Sequence, residues 1–138
     1  IDFLNFYPYS VAQLESLEGV RVSPKGVGLV VRPWNFPVAI PAGGITAALA
    51  AGNTVILKPA SAAVLSAYRL CECFWAAGVG KSTLQFVPCD GALAGRELIP
   101  NRAIDFVIFT GGESTAYEMI RSRPDIHLSA ETGGKDHS

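Results

Sequence analysis

The chain has 138 residues, of which 49% are hydrophobic and 17% charged, and its formal net charge is −1. That length suits one domain with its own core, without disulfide or metal staples. The near-neutral charge gives no electrostatic case for nucleic acid or an anionic membrane, and no apolar run approaches the roughly 20 residues of a membrane span.

Residues 1–25 are the least regular part. Tyr7-Pro8-Tyr9 and the acidic Glu15 and Glu18 read as a lead-in segment. The opening Ile1-Asp2-Phe3-Leu4-Asn5 has no basic n-region and no initiating Met, so it is not a signal peptide and is expected to begin inside a longer chain. From Gly26 onward, short apolar runs alternate with longer periodic segments. Val27 to Val31 is a β-branched run closed by Arg32-Pro33 and predicts a strand buried on both faces. The alanine-rich stretch from Val38 to Ala51, with Pro41 near its start and Gly52-Asn53 at its end, predicts a helix. Thr54 to Leu57 is the second strand, stopped by Lys58-Pro59.

Ser61 is the expected N-cap of a second helix, in which Val64, Tyr68, Cys71 and Trp75 recur every three or four residues up to Gly78. Leu84 to Val87 is a third strand. Gly91 to Ile99 is a short helix with Asp90 as N-cap. Ile104 to Phe109 is the fourth strand, Glu113 to Ser122 a helix opened by Thr110-Gly111-Gly112, and Ile126 to Ala130 the fifth strand. Strict alternation of strand and helix predicts an α/β fold: an open parallel sheet of about five strands, Rossmann-like, with right-handed crossovers and helices on both faces.

The three cysteines, Cys71, Cys73 and Cys89, have no paired spacing, which fits a reducing compartment such as the cytoplasm. The only histidines, His127 and His137, lie far from Cys71-x-Cys73 in sequence. Buried helix thiols are therefore preferred to a metal site, and no metal is expected.

Two glycine motifs fail on context. Gly78-Val79-Gly80-Lys81-Ser82-Thr83 resembles the end of a P-loop, but Trp75 occupies the place of its first glycine. A helix also precedes it and a strand follows, so no helix N-terminus can meet a phosphate. Gly26-x-Gly28 begins like a dinucleotide fingerprint, yet it precedes its strand and reads as a turn into it.

Ligands of open parallel sheets bind beyond the carboxyl ends of the strands. Those ends are Pro33-Trp34-Asn35-Phe36-Pro37, Lys58-Pro59-Ala60-Ser61, Pro88 to Gly95, Thr110-Gly111-Gly112 and Glu131-Thr132-Gly133-Gly134-Lys135. One edge thus collects an amide side chain, a lysine, two glycine-bearing helix starts and a carboxylate.

These segments, with Ala51-Gly52-Asn53-Thr54-Val55-Ile56-Leu57-Lys58-Pro59 and Phe109-Thr110-Gly111-Gly112, make the chain similar to the aldehyde dehydrogenase superfamily from about Val20 onward. Glu131-Thr132-Gly133-Gly134-Lys135, with Thr where most relatives have Leu, resembles the branch that oxidises L-glutamate γ-semialdehyde in proline breakdown. Arg123-Pro124-Asp125 does so too, and the likeness includes forms fused to proline dehydrogenase. The resemblance implies that residues 26–138 are a dinucleotide-binding domain cut before the catalytic domain. It also implies a small-molecule aldehyde as substrate and a homo-oligomeric parent.

In such a family a cysteine thiolate attacks the aldehyde, hydride passes to the nicotinamide, and water cleaves the thioester. Carried over by resemblance, Asn35 donates its amide to the oxyanion and Glu131 is the general base. Lys58 binds the adenosine ribose. Ser61 stands where NAD-preferring relatives have Glu, which leaves NADP open beside NAD. Gly91 and Gly95 admit the adenine side, and Phe109, Gly111 and Gly112 frame the pyrophosphate. Val31, Pro33, Trp34, Thr132 and Gly133 complete the cofactor-binding set. Gly112 stands where relatives often have Ser, and Ala116 where they have Gly. The family's thiol lies some tens of residues past the Glu-x-Gly-Gly segment, so this chain alone is expected to be inactive. Two other readings are a degenerate nucleotide-binding module without catalysis and a phosphotransferase using Gly80-Lys81-Ser82.

Overall fold

In the computed structural model, which describes residues 2–133, the run Val27–Val31 forms β1. Its side chains alternate between two cores, as strand geometry demands. Val30 enters one core with Ile45, Leu57 and Cys71, while Leu29 and Val31 enter the other with Ile99, Val107 and Met119. β1 is followed by α2 (Ala39–Ala50), β2 (Thr54–Lys58), α3 (Val64–Ala76), β3 (Leu84–Phe86), β4 (Phe106–Gly111), α5 (Glu113–Ser122) and β5 (His127–Thr132). All pairings are parallel, in the order β3-β2-β1-β4-β5. Helices α2 and α3 cover the Val30 face; α5 and the short α4 (Gly91–Leu93), which runs on as a π-turn over Ala94–Leu98, cover the other. The expected α/β sheet with helices on both faces is what forms.

Three details differ from expectation. Asp2–Glu15 is a helix, α1, lying against α2, where the sequence suggested an irregular lead-in. Pro8 inside it removes a helical N–H and hides the pattern, and Phe6, Tyr9 and Leu14 on it are exposed. Ser61 does not cap α3. It opens a 3-10 turn, Ser61–Ala63, preceded by Ala60, and makes no side-chain cap bond. The buried stripe of α3 is Ala67 and Cys71 with Leu70, Phe74 and Trp75 packed beside them, whereas Tyr68 is exposed and meets Trp75 and Phe86 edge-on. Asp90 does cap α4, accepting from the Leu93 amide at 2.6 Å.

The glycine motifs set aside as nucleotide signatures are structural. At the end of α3, Gly78 has φ +101°, its amide donates to the Trp75 carbonyl, and the Val79 amide donates to the Phe74 carbonyl, each at 3.0 Å. That is a Schellman stop of a helix, not a phosphate loop. Lys81 lies over the Trp75 ring, 5.1 Å from its centre. Gly28, on β1, leaves its place to the Phe106 ring of the neighbouring strand.

α2 is buried on every side, between the sheet and α1. It ends in the same kind of stop: Gly52 has φ +79° and the Asn53 amide donates to the Ala48 carbonyl. The buried Asn53 side chain then accepts from the Lys25 amide at 2.6 Å and the Gly26 amide at 3.0 Å, and donates to the Ala48 carbonyl at 3.0 Å. It thereby ties the approach to β1 to the end of α2. Asn53→Ala leaves those backbone groups without their partner and should lower stability by about 2–4 kcal/mol. A urea titration followed by circular dichroism checks this, with the midpoint falling at an unchanged slope.

Candidate nucleotide-binding site

The strand order reverses at β1. β2 and β4 flank it, and the connections leaving β1 and β4 run over opposite faces, so a gap opens beyond the carboxyl ends of β1 and β4. A cleft of about 790 Å3 lies there, between these ends, the α4 turn and α5. Nine residues expected from the sequence line it: Val31, Pro33, Trp34, Lys58, Gly91, Gly95, Phe109, Gly111 and Gly112.

Lys58 ends β2, and its side chain is almost wholly buried. Among the described residues its ammonium has no hydrogen bond or ion pair. An aliphatic stem laid through the core with a free charged tip suits a hydroxyl-bearing or anionic ligand. At Gly91 and Gly95 an added Cβ would meet nothing within 4 Å, so bare backbone faces open cleft. Gly112 precedes α5 without any side-chain cap bond. Thr115 and Ala116 donate their amides to the Gly112 carbonyl, which leaves the Glu113 and Ser114 amides without a hydrogen bond among the described residues, at a helix start whose dipole favours negative charge.

The sequence reading missed the far wall. Thr115, Glu118, Met119 and Ser122 line the cleft from α5. Their spacing of three and four residues was the available signal, since it marks one stripe of a helix.

The remaining expected residues lie outside the cleft lining. Asn35 is exposed in the turn between β1 and α2 and makes no hydrogen bond among the described residues. Ser61 is exposed beside Ala60, which does line the cleft. Strands β4 and β5 run two residues further than expected, pairing Thr110 with Glu131 and Gly111 with Thr132. Glu131 and Thr132 are therefore the last residues of a strand rather than loop residues, and Gly133 follows them exposed. Gly134 and Lys135 of the same motif, and His137, lie outside the described residues.

Arg32 was not foreseen as a site residue, although a lone arginine directly after a buried β-branched run was a visible signal. It is buried and donates through Nη1 to the Thr110 hydroxyl, which donates in turn to Glu131 Oε2 at 3.3 Å. Burial pulls its guanidinium below the ordinary value, opposed by the negative charge of Glu131 and then by Tyr7.

A model of the aldehyde dehydrogenase family matches residues 6–138. The chain belongs to that family. Relatives named 1-pyrroline-5-carboxylate dehydrogenase, from Anoxybacillus flavithermus and from Staphylococcus epidermidis, are each 36% identical over 99% of the chain, which spans 30% of their length. Among solved structures, Proline Utilization A from Corynebacterium freiburgense superposes with a TM-score of 0.92 at 37% identity, over 97% of the chain and 14% of that protein. The NADP-dependent glyceraldehyde-3-phosphate dehydrogenase from Bacillus halodurans, solved with NADP, gives 0.88 at 30% identity, over 98% of the chain and 32% of that protein.

The cysteines do not look like nucleophiles. Cys71 is fully buried, and burial pushes its thiol up to about 11. Cys89 is half-buried, and Cys73 is exposed rather than in the core as the sequence suggested. Iodoacetamide at pH 8 should therefore modify Cys73 fastest and leave Cys71 unmodified until the protein is denatured, as peptide mass mapping would show.

Proposed function

We propose that this chain is the cofactor-binding part of an NAD(P)-dependent aldehyde dehydrogenase that oxidises L-glutamate γ-semialdehyde to the carboxylate. The observation that carries the cofactor reading is the pairing, in one cleft at the sheet's switch point, of a buried lysine with no ion pair among the described residues and a helix start without a side-chain cap. The names of the relatives, and the NADP bound to one solved neighbour, support the reaction and cofactor class. The reading makes residues 26–138 the dinucleotide-binding domain and leaves the thiol to a segment outside this chain, which by itself would be inactive.

The residues present fit a dinucleotide. Lys58 would hold the ribose hydroxyls, Gly91 and Gly95 the adenine side, and the α5 start with Phe109, Gly111 and Gly112 the pyrophosphate. Val31, Pro33, Trp34, Thr132 and Gly133 would complete the surface. When bound, the nicotinamide supplies a hydride acceptor. Asn35 would place its amide hydrogens where the oxyanion develops, and Glu131 would take the proton of the hydrolytic water or of the thiol. The parent would act on a small-molecule aldehyde as a homo-oligomer in a reducing compartment.

Lys58→Ala should abolish NAD and NADP binding, measured by calorimetry; unchanged binding would reassign the ribose contact. Ser61→Glu tests cofactor choice. A carboxylate beside the 2′ position repels a phosphate there, so NADP affinity should fall by far more than NAD affinity, and an equal fall would place Ser61 away from it.

In the longer enzyme, Asn35→Ala should lower kcat by roughly 100- to 1,000-fold, the usual effect of losing one oxyanion donor. Glu131→Gln keeps the size but accepts no proton. Rapid-mixing absorbance should show a first burst of reduced cofactor followed by slow turnover if Glu131 serves hydrolysis, and no burst if it serves the thiol. Near-normal steady turnover would remove it from the mechanism.

A further inference from the structure

Arg32 is an expensive residue for its position. Its guanidinium lies under α2, filling the space a Cβ would take at Gly44, and its Nε has no hydrogen-bond partner among the described residues. Its Nη1 donates to the Thr110 hydroxyl. A buried charge with one neutral partner contributes little to folding, and an apolar side chain of similar length would cost less there. The other buried arginine, Arg123, also has an Nε without a hydrogen-bond partner among the described residues, but it donates to the Asn101 and Ile104 carbonyls, at 2.9 and 2.6 Å, and so staples two backbone segments. Arg32 closes no backbone segment. It lines the cleft, and its one side-chain hydrogen bond among the described residues leads, through the Thr110 hydroxyl, to Glu131.

The direction of that link follows from chemistry. Arginine only donates, so the Thr110 oxygen must accept from Nη1, and the single hydroxyl hydrogen is left to point elsewhere. Glu131 Oε2, 3.3 Å away on the paired strand, takes it. Glu131 is exposed on β5, which pairs with β4 alone and so lies at the edge of the described sheet. No other side-chain hydrogen bond holds its carboxylate among the described residues. Without the arginine, the hydroxyl is free to turn to other acceptors and the glutamate to swing into solvent.

We propose that Arg32 is a positioning residue for Glu131, orienting its carboxylate through the Thr110 hydroxyl. This rests on Glu131 being the general base. A base must meet its proton within hydrogen-bond reach, and a carboxylate on a long exposed side chain loses that geometry easily.

The test is a double-mutant cycle in the longer enzyme that carries this chain. Arg32→Met should lower kcat by about ten- to a hundredfold, the range of a lost hydrogen-bond link to a charged group, and leave the cofactor KM within about twofold. Arg32→Lys, which keeps a donor to the hydroxyl, should recover part of the loss. In a Glu131→Gln background, Arg32→Met should cost nothing further, because two residues acting through one group are not additive. An equal loss in both backgrounds would overturn the inference, as would an unchanged kcat in Arg32→Met beside a slow Glu131→Gln. If Arg32→Met does not fold, Thr110→Val breaks the same link with the arginine in place, and its kcat loss must likewise vanish in the Glu131→Gln background. Near-normal turnover in Glu131→Gln itself would remove the base assignment, and this inference with it.

Discussion

The two-sided burial of β1 is the constraint on which the other parts depend. Leu29 and Val30 are both at 0% exposure, yet they belong to different cores. A strand buried on both faces needs a helix layer on each. Because crossovers between parallel strands are right-handed, layers on opposite faces require the chain to leave β1 in one direction and return on its other side. That return is β4, and the gap between the two departures is the cleft. The binding site is thus a consequence of how the central strand is covered.

Close approach at the sheet is purchased with small residues. Gly28 makes room for the Phe106 ring, and Gly44 for the Arg32 guanidinium. The Asn53 side chain does the complementary work at the opposite end of β1, satisfying two amides that the strand cannot. The amino end of the sheet is closed by such bonds. Among the described residues the carboxyl end is left open, where the Lys58 ammonium has no hydrogen bond or ion pair and the start of α5 has no side-chain cap. This asymmetry, stability at one end and unsatisfied polar groups at the other, is the physical mark of the functional edge.

Beside that edge, Trp34 and Phe36 are 69% and 60% exposed, and Val38 is 50% exposed. Asn35 lies among these exposed side chains, and Glu131 lies on β5, the exposed edge strand of the described sheet. The chain spans less than a third of its pyrroline-5-carboxylate dehydrogenase relatives, and the two proposed catalytic side chains are exposed and lie outside the cleft lining.

The sequence by itself determined the alternation of elements, the helices over 39–50 and 113–122 nearly to the residue, the strand-end motifs, and nine of the cleft residues. These are legible because hydrophobic period, proline and glycine act within a few residues of themselves. Only the tertiary structure decided the strand order, the helix over 2–15 and the α5 wall of the cleft. α1 carries a proline and leaves several apolar side chains exposed, so it is identified by the α2 surface it covers. Cys73 is exposed on α3, and Tyr68 is partly exposed at the rim beside Phe86, because Ala67 and Cys71 meet the sheet, a choice of face that depends on the partner. The link from Arg32 through Thr110 to Glu131 joins residues 78 and 21 positions apart. No local pattern encodes it; it exists because β1, β4 and β5 lie side by side, with β4 and β5 running two residues past the end of β1.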